Sequence, residues 1–339
     1  MDTDIRLEGF FYKLRSGDIF YAKGVSHPPN AVVAYPKYVV DSNGDRVDRL
    51  TGTRYRRVAS VAEEYSYTIS RYRAYVRFDK FYGREVVVVP LTDVEVVYNP
   101  LEKAKELLYS GTTQRDAVLG DAREMLLDLI NGSGVREVGI SGSILVNLYT
   151  EDSDIDIVVY GRENGLKVYR YLLEVVDKDQ RYRRYTKDDA HKLFSRRASE
   201  TPLTFEQVVM QESRKVLEGF FKNREYFSRL VKYSWEEPPY DSYRCVKVGK
   251  ALMKLRVIDD RESIFTPCRY RVEVVEHIKG PRVDVVEVYS LRGRFTEIAK
   301  QDDIIVVHGT VELIEPKSGK SFYRLYLGDE GDYIALVKD

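Results

Sequence analysis

Cysteine is almost missing from the 339-residue chain, which holds only Cys245 and Cys268. Two thiols build neither a disulfide scaffold nor a four-ligand zinc site. Both read as buried small hydrophobes, with a single pairing between them as the alternative. The four histidines, His27, His191, His277 and His308, lie far apart without metal-ligand spacing. An excess of either charge is also lacking. Lys+Arg and Asp+Glu both number 54, so the formal net charge is zero. That excludes a globally basic nucleic-acid coat, though not a local patch. No apolar run approaches the ~18 residues of a membrane helix, and the opening MDTDIRLEGF is acidic rather than signal-like. A cytoplasmic protein with no membrane partner is expected. Internal repeats and low-complexity segments are absent.

What the chain does have is apolar mass and tyrosine. Hydrophobic residues make up 43% and charged residues 32%, a globular balance at a length that suits two or three domains. Tyrosine outnumbers phenylalanine 27 to 13, which suits half-buried strands and stacking surfaces. Residues 1–98 read mostly as strands: GFFYKL, DIFYAKG, AVVAYPKYVV, RAYVRF and REVVVVP. From Leu101 the apolar spacing turns helical, through LEKAKELLYS and then TTQRDAVLGDAREMLLDLI, with the glycines of NGSG as its stop. A strand VREVGI, a short turn after Ser141-Gly142-Ser143, and a strong strand DIDIVVYG follow. LKVYRYLLEVV and the stretch from Thr204 to about Lys222 predict two more helices. From Tyr240 about six strands suit a small closed barrel resembling an OB-fold, with a plain β-sandwich as the alternative. The expected domains are 1–98, 99–239 and 240–339.

The chemistry concentrates in VGISGSILVNLYTEDSDIDIVVYG, residues 138–161. It is not a Walker loop, because no Lys-Ser/Thr follows the second glycine. Nor is it a Rossmann fingerprint, because the Gly132/Gly134 pair precedes its strand. Gly142 lets backbone approach a ligand closely, and Ser143 opens a helix whose start would meet a phosphate. Asp154 and Asp156, two apart on a strand, share one face. Two neighbouring carboxylates repel unless a cation lies between them, and Mg²⁺ takes hard oxygen ligands from one or two carboxylates plus phosphates.

Gly142-Ser143, ten residues, then Asp154-x-Asp156 resembles the nucleotidyltransferase superfamily that includes DNA polymerase β and the CCA-adding enzymes. The resemblance covers roughly residues 110–175. Over its full length, including SHPPNAVVAYPKY and SIFTPCRY, the chain is similar to an archaeal group of predicted nucleotidyltransferases. The implied fold is an α/β nucleotidyltransferase core flanked by an N-terminal β-rich domain and the C-terminal barrel. The implied activity is transfer of a nucleoside monophosphate from a nucleoside triphosphate, ATP among them, to an acceptor hydroxyl, with pyrophosphate released. A nucleic-acid 3′ end is the first acceptor to consider, so RNA or single-stranded nucleic acid is an expected partner. Gly142 and Ser143 would hold the triphosphate, and Asp154 and Asp156 would bind Mg²⁺ or Mn²⁺ as the catalytic and metal residues.

The superfamily also implies a third carboxylate acting as base. EYFSRLVKY has no central acid, which leaves Asp259 or Asp260 ahead of Glu225. The competing reading is a non-catalytic nucleotide- or nucleic-acid-binding module that keeps Asp-x-Asp without that acid. Two further stretches have dual readings. RYRRYTKDDAHKLFSRR, residues 181–197, is either a phosphate grip or a solvated face. Phe322, Arg324 and Tyr326, which share a strand face, are either a stacking platform or ordinary packing.

Overall fold

The computed structural model describes residues 5–109, 116–197 and 202–337, and of Arg196 and Arg197 only the backbone. It is a mixed α/β protein whose residues group into two compact units. The first holds the chain up to Arg77, Glu85–Tyr182 and Phe220–Pro239; the second holds Phe78–Arg84, Arg183–Gly219 and Tyr240 onward.

In the first unit the expected N-terminal strands form β1 (Phe11–Leu14), β2 (Ile19–Ala22), β3 (Ala31–Val40), β4 (Arg46–Val47) and β5 (Arg54–Arg57). A helix then interrupts them, α1 (Val61–Arg71), which the strand-rich reading of residues 1–98 passes over. Its start signal is local: Ser60 caps the Glu63 N–H at 3.2 Å, with acids in the first turn. Strands β6 (Val76–Asp79), β7 (Arg84–Pro90) and β8 (Val94–Tyr98) follow. The sheet order is β4-β5-β3-β2-β1-β8, with β7 also on β3.

Helices α2 (Pro100–Tyr109) and α3 (Ala117–Ser133) occupy the helical stretch, and Gly134 ends α3 in the left-handed region at φ 70°. Then come β9 (Val138–Ile140), α4 (Gly142–Leu145), β10 (Ile155–Tyr160) and α5 (Arg162–Val175). After β11 (Tyr182–Arg183), α6 (Lys187–Arg197) and α7 (Phe205–Glu212), the structure departs from expectation. The helix starting at Thr204 stops at Glu212 instead of running to Lys222. Buried Glu297 accepts the Val216 and Leu217 N–H groups, which fixes that segment outside any helix. A tight hairpin then joins β12 (Glu218–Phe221) to β13 (Arg224–Val231), with Lys222 and Asn223 both at positive φ. Strand β10 pairs antiparallel with β9 and parallel with β13.

The N-terminal sheet and β10 share one core. Phe10, Tyr12, Phe20 and Val89 pack in a single cluster with Val158, Tyr160 and Val231. Ile155, Ile157 and Val159 are likewise buried, which anchors β10 on its other face.

The second unit carries β14 (Tyr243–Asp259), β15 (Phe265–Thr266), β16 (Cys268–Lys279), β17 (Val285–Ser290), β18 (Ile304–Pro316), β19 (Phe322–Leu327) and β20 (Tyr333–Leu336). Pairing runs β14-β16-β17-β19-β18-β20 and returns from β18 to β14. Ala251, Met253, Leu255 and Val257 alternate into its core beside Tyr270, Val307 and Leu325. Cys245 and Cys268 are buried free thiols, so the pairing alternative does not hold. Among the described residues no helix is long and apolar enough to cross a membrane.

Candidate functional site

Gly142 and Asp156 lie side by side. Gly142 opens α4 at φ +62°, a conformation that favours glycine, and a methyl built on it would sit 1.9 Å from Asp156 Oδ2. The carboxylate therefore rests directly over the Gly142 backbone. The strand and the turn are tied together there, since the Ser141 N–H donates to the Asp156 carbonyl at 2.8 Å. Ser141 Oγ donates to the Gly9 carbonyl at 2.8 Å, so the N-terminal segment braces the same turn. Gly9 itself, at φ +100°, leaves no room for a side chain beside Val158 and Tyr160. Ser143 is buried, and its hydroxyl has no hydrogen-bond partner among the described residues.

Asp154 stands exposed immediately before β10. The loop that delivers it is pinned by Arg224, which donates to the Ser153 carbonyl at 2.9 Å, and by the Thr150 N–H bonding Ser153 Oγ at 2.9 Å. Burial pushes the Asp156 carboxyl up to about 7, and the nearby charge of Asp154 pushes in the same direction. Arg229, Arg57 and Lys37 oppose that rise. Neither aspartate side chain makes a hydrogen bond or close ion pair among the described residues. Two such acids, one with raised proton affinity, together with an orphaned hydroxyl and a glycine cradle, fit a hard cation with a phosphate ligand.

The third acid is less well defined. Ile155 pairs with Tyr226 in parallel register, so Glu225 occupies on β13 the place that Asp154 occupies before β10. Yet no three His, Cys, Asp or Glu side chains converge as a metal cage among the described residues. Asp259 and Asp260 belong to the second unit, where each has a local partner. Arg261 Nε lies 3.0 Å from both Asp259 oxygens, and Lys300 lies 3.5 Å from Asp260.

The remaining expected features are internally satisfied. Arg183 pairs with Asp189, and Arg184 donates to the Arg214 and Lys215 carbonyls at 2.8 and 3.0 Å. Arg181 binds Asp179 and Asp128. In that part of residues 181–197 the arginines serve the fold and are not an open phosphate grip. Arg324 is likewise buried, bonded to Glu312 at 2.8 Å and 4.1 Å over the Tyr289 ring. Arg84 lies over Tyr326 at 3.4 Å. The Phe322–Arg324–Tyr326 face is therefore packed around a charge network.

Residues 122–215 match the family model of the nucleotidyltransferase domain. The chain carries a nucleotidyltransferase domain. That match contains the Gly142–Ser143 turn and both aspartates. The chain is also 25% identical over 329 residues to an uncharacterized protein of the archaeon Methanocaldococcus jannaschii, with 94% of each chain covered. No solved structure matches it.

The sequence reading does not reach the charged and polar neighbours of Asp156 that come from outside this domain. Lys37, Tyr38 and Arg57 come from β3 and β5, and Arg229 from β13. One signal was available. Pro36 within a strand is confined to edges and bulges, and β3 has its irregularity there.

Proposed function

We propose that this protein is a metal-dependent nucleotidyltransferase that joins a nucleoside monophosphate to an acceptor hydroxyl. The supporting observation is the Asp156 carboxylate lying against the Gly142 backbone, with Asp154 close enough to shift its proton affinity. Gly142 and Ser143 hold the triphosphate; the orphaned Ser143 hydroxyl is available to donate to a phosphate oxygen. Asp154 and Asp156 hold Mg²⁺ or Mn²⁺, which neutralises phosphate charge and supplies Lewis acidity when bound. The acceptor oxygen attacks the α-phosphorus, a new P–O bond forms, and the bond to the bridging oxygen breaks. Pyrophosphate leaves and the hydroxyl proton passes to solvent.

The pairing circuit of β14, β16, β17, β19 and β18 supports an OB-like barrel. Its five strands connect in the order first-second-third-fifth-fourth and back to the first, and the third and fifth (β17 and β19) run parallel. Such a barrel makes a nucleic-acid 3′ end the leading acceptor. Binding to single-stranded RNA should then weaken steeply with salt; a flat response at negligible affinity discards that acceptor.

The test of the site is incubation with labelled triphosphates, Mg²⁺ or Mn²⁺ and cellular RNA. Asp154→Asn and Asp156→Asn should each abolish labelling while the fold persists, and undiminished labelling in both would falsify the assignment. The non-catalytic binding module is the second reading, favoured by the absence of three converging acids among the described residues. Nucleotide binding with no turnover by the unaltered protein selects it.

A further inference from the structure

From geometry outside the domain match, we infer that the N-terminal sheet supplies a polyphosphate clamp, with Lys37 on its β-bulge and Arg57 beside it on the neighbouring strand. The inference rests on the proposed nucleotidyl transfer but concerns residues that precede the matched domain.

The bulge is explicit in the register. Ile19 pairs with Tyr38 and Phe20 with Pro36, so Lys37 is the extra residue on β3. A bulge breaks the strict alternation of side chains and re-aims one of them. Lys37 and Tyr38, adjacent in sequence, are both within electrostatic reach of Asp156 and Arg57, which a regular strand would not favour. On the other edge of β3, Tyr38 pairs with Arg57, and the Val58 N–H donates to the Lys37 carbonyl at 2.9 Å. The two cations are thereby held on adjoining strands.

What marks them is the absence of a closed ion pair. Lys37 makes no hydrogen bond or ion pair among the described residues; its ammonium lies 5.5 Å from the Tyr21 ring centroid. Burial, and then the charge of Arg57, lower its proton affinity, while Glu64 and Asp156 act the other way from beyond ion-pair distance. An ammonium taken from water without a carboxylate in contact is costly. Lys23 and Lys103 of the same unit are by contrast paired, Lys23 with Glu8 at 3.2 Å and Lys103 with Glu106 at 3.0 Å. Arg57, exposed, likewise makes no ion pair among the described residues. A multiply charged anion beside Asp156 would satisfy both cations, and the β- and γ-phosphates of a nucleotide, or the pyrophosphate it releases, are such an anion.

The experiment is calorimetric titration of the full chain with inorganic pyrophosphate, with and without magnesium, at several salt concentrations. Lys37→Met keeps length and removes charge, so its affinity should fall about tenfold or more, with a shallower salt slope. Arg57→Met, at an exposed position that poses no folding risk, should lose several-fold. Lys37→Arg should recover most of the loss. The melting temperature of Lys37→Met should not fall, because a desolvated unpaired charge has been removed. Pyrophosphate affinity of Lys37→Met within twofold of the parent, or no pyrophosphate binding by the parent, overturns the clamp. If Asp156→Asn leaves labelling intact while Lys37→Met loses pyrophosphate, the assignment of Asp156 to the transfer site fails and the clamp stands. If Asp156→Asn abolishes labelling and Lys37→Met binds normally, the reverse holds.

Discussion

Two regions of this molecule handle buried charge in opposite ways. In the second unit, Glu312 is wholly buried and both its oxygens are taken, one by Arg84 and the other by Arg324 at 2.8 Å. Each arginine also covers a tyrosine ring. Asp332, equally buried, accepts the Gly328 and Asp329 N–H groups at 3.0 and 2.9 Å and pairs with Lys250. Around Gly142 in the first unit, the half-buried Asp156 and Lys37 are left without such closure. Desolvated charge is tolerated only when matched. In the first case the match is internal and serves the fold. In the second, on the proposed function, a ligand makes it.

The comparison is broken most forcefully at Glu312. Glu312→Gln leaves two guanidinium groups facing a neutral amide, and denaturant unfolding should show a loss of about 3–5 kcal/mol, the cost of opening a buried pair. Asp156→Asn should show no loss, because it relieves repulsion instead of opening a pair. An equal loss in both would mean that Asp156 is a structural charge like Glu312.

Glycines sharpen the same contrast. Gly142 and Gly319 both have positive φ, at +62° and +103°, but a methyl on Gly319 meets nothing within 4 Å. Each alanine substitution should cost about 1–3 kcal/mol from backbone strain alone. Only Gly142→Ala drives an atom into Asp156, so only it should cut labelling, by at least about tenfold for a reacting group displaced by an ångström. Equal labelling in the two variants would remove Gly142 from the site.

How much of this was legible without coordinates follows from the range of the signals. The Gly142–Ser143 turn and the Asp154–Asp156 pair are local spacings on consecutive elements, so sequence alone set them together. The helices α2, α3 and α5 announced themselves by apolar period and by Gly134 as a stop. Helix α1 is marked at its start by Ser60 and Glu63, but its tyrosines suit a strand equally well. The overlong helix from Thr204 failed for a long-range reason: Glu297, some 80 residues onward, captures the N–H groups that would have continued it. Lys37 and Arg57 were illegible as site neighbours for the same cause, since only β-pairing across the first unit brings them near Asp156. Conversely, the arginines at 181–184 keep a dual reading in sequence because Asp128, which binds Arg181, and the Arg214 and Lys215 carbonyls, which bind Arg184, lie far off along the chain.

The smallest expected effect separates pairing from burial. Asp259 is paired as closely as Glu312, and its hydrogen bonds from Arg261 hold its carboxyl down to about 2, but it lies at the surface. A depressed folded value stabilises the protein above the unfolded value near ~3.9 and loses that contribution as pH falls through the folded value. Unfolding free energies of the parent and of Arg261→Ala should therefore coincide below about pH 2. They should separate between about pH 2 and 4, and stay only slightly apart at neutral pH, because water and salt screen the pair. A gap as large as that of Glu312→Gln would show that closeness of the partners, and not their removal from water, decides what a charge contributes in this chain.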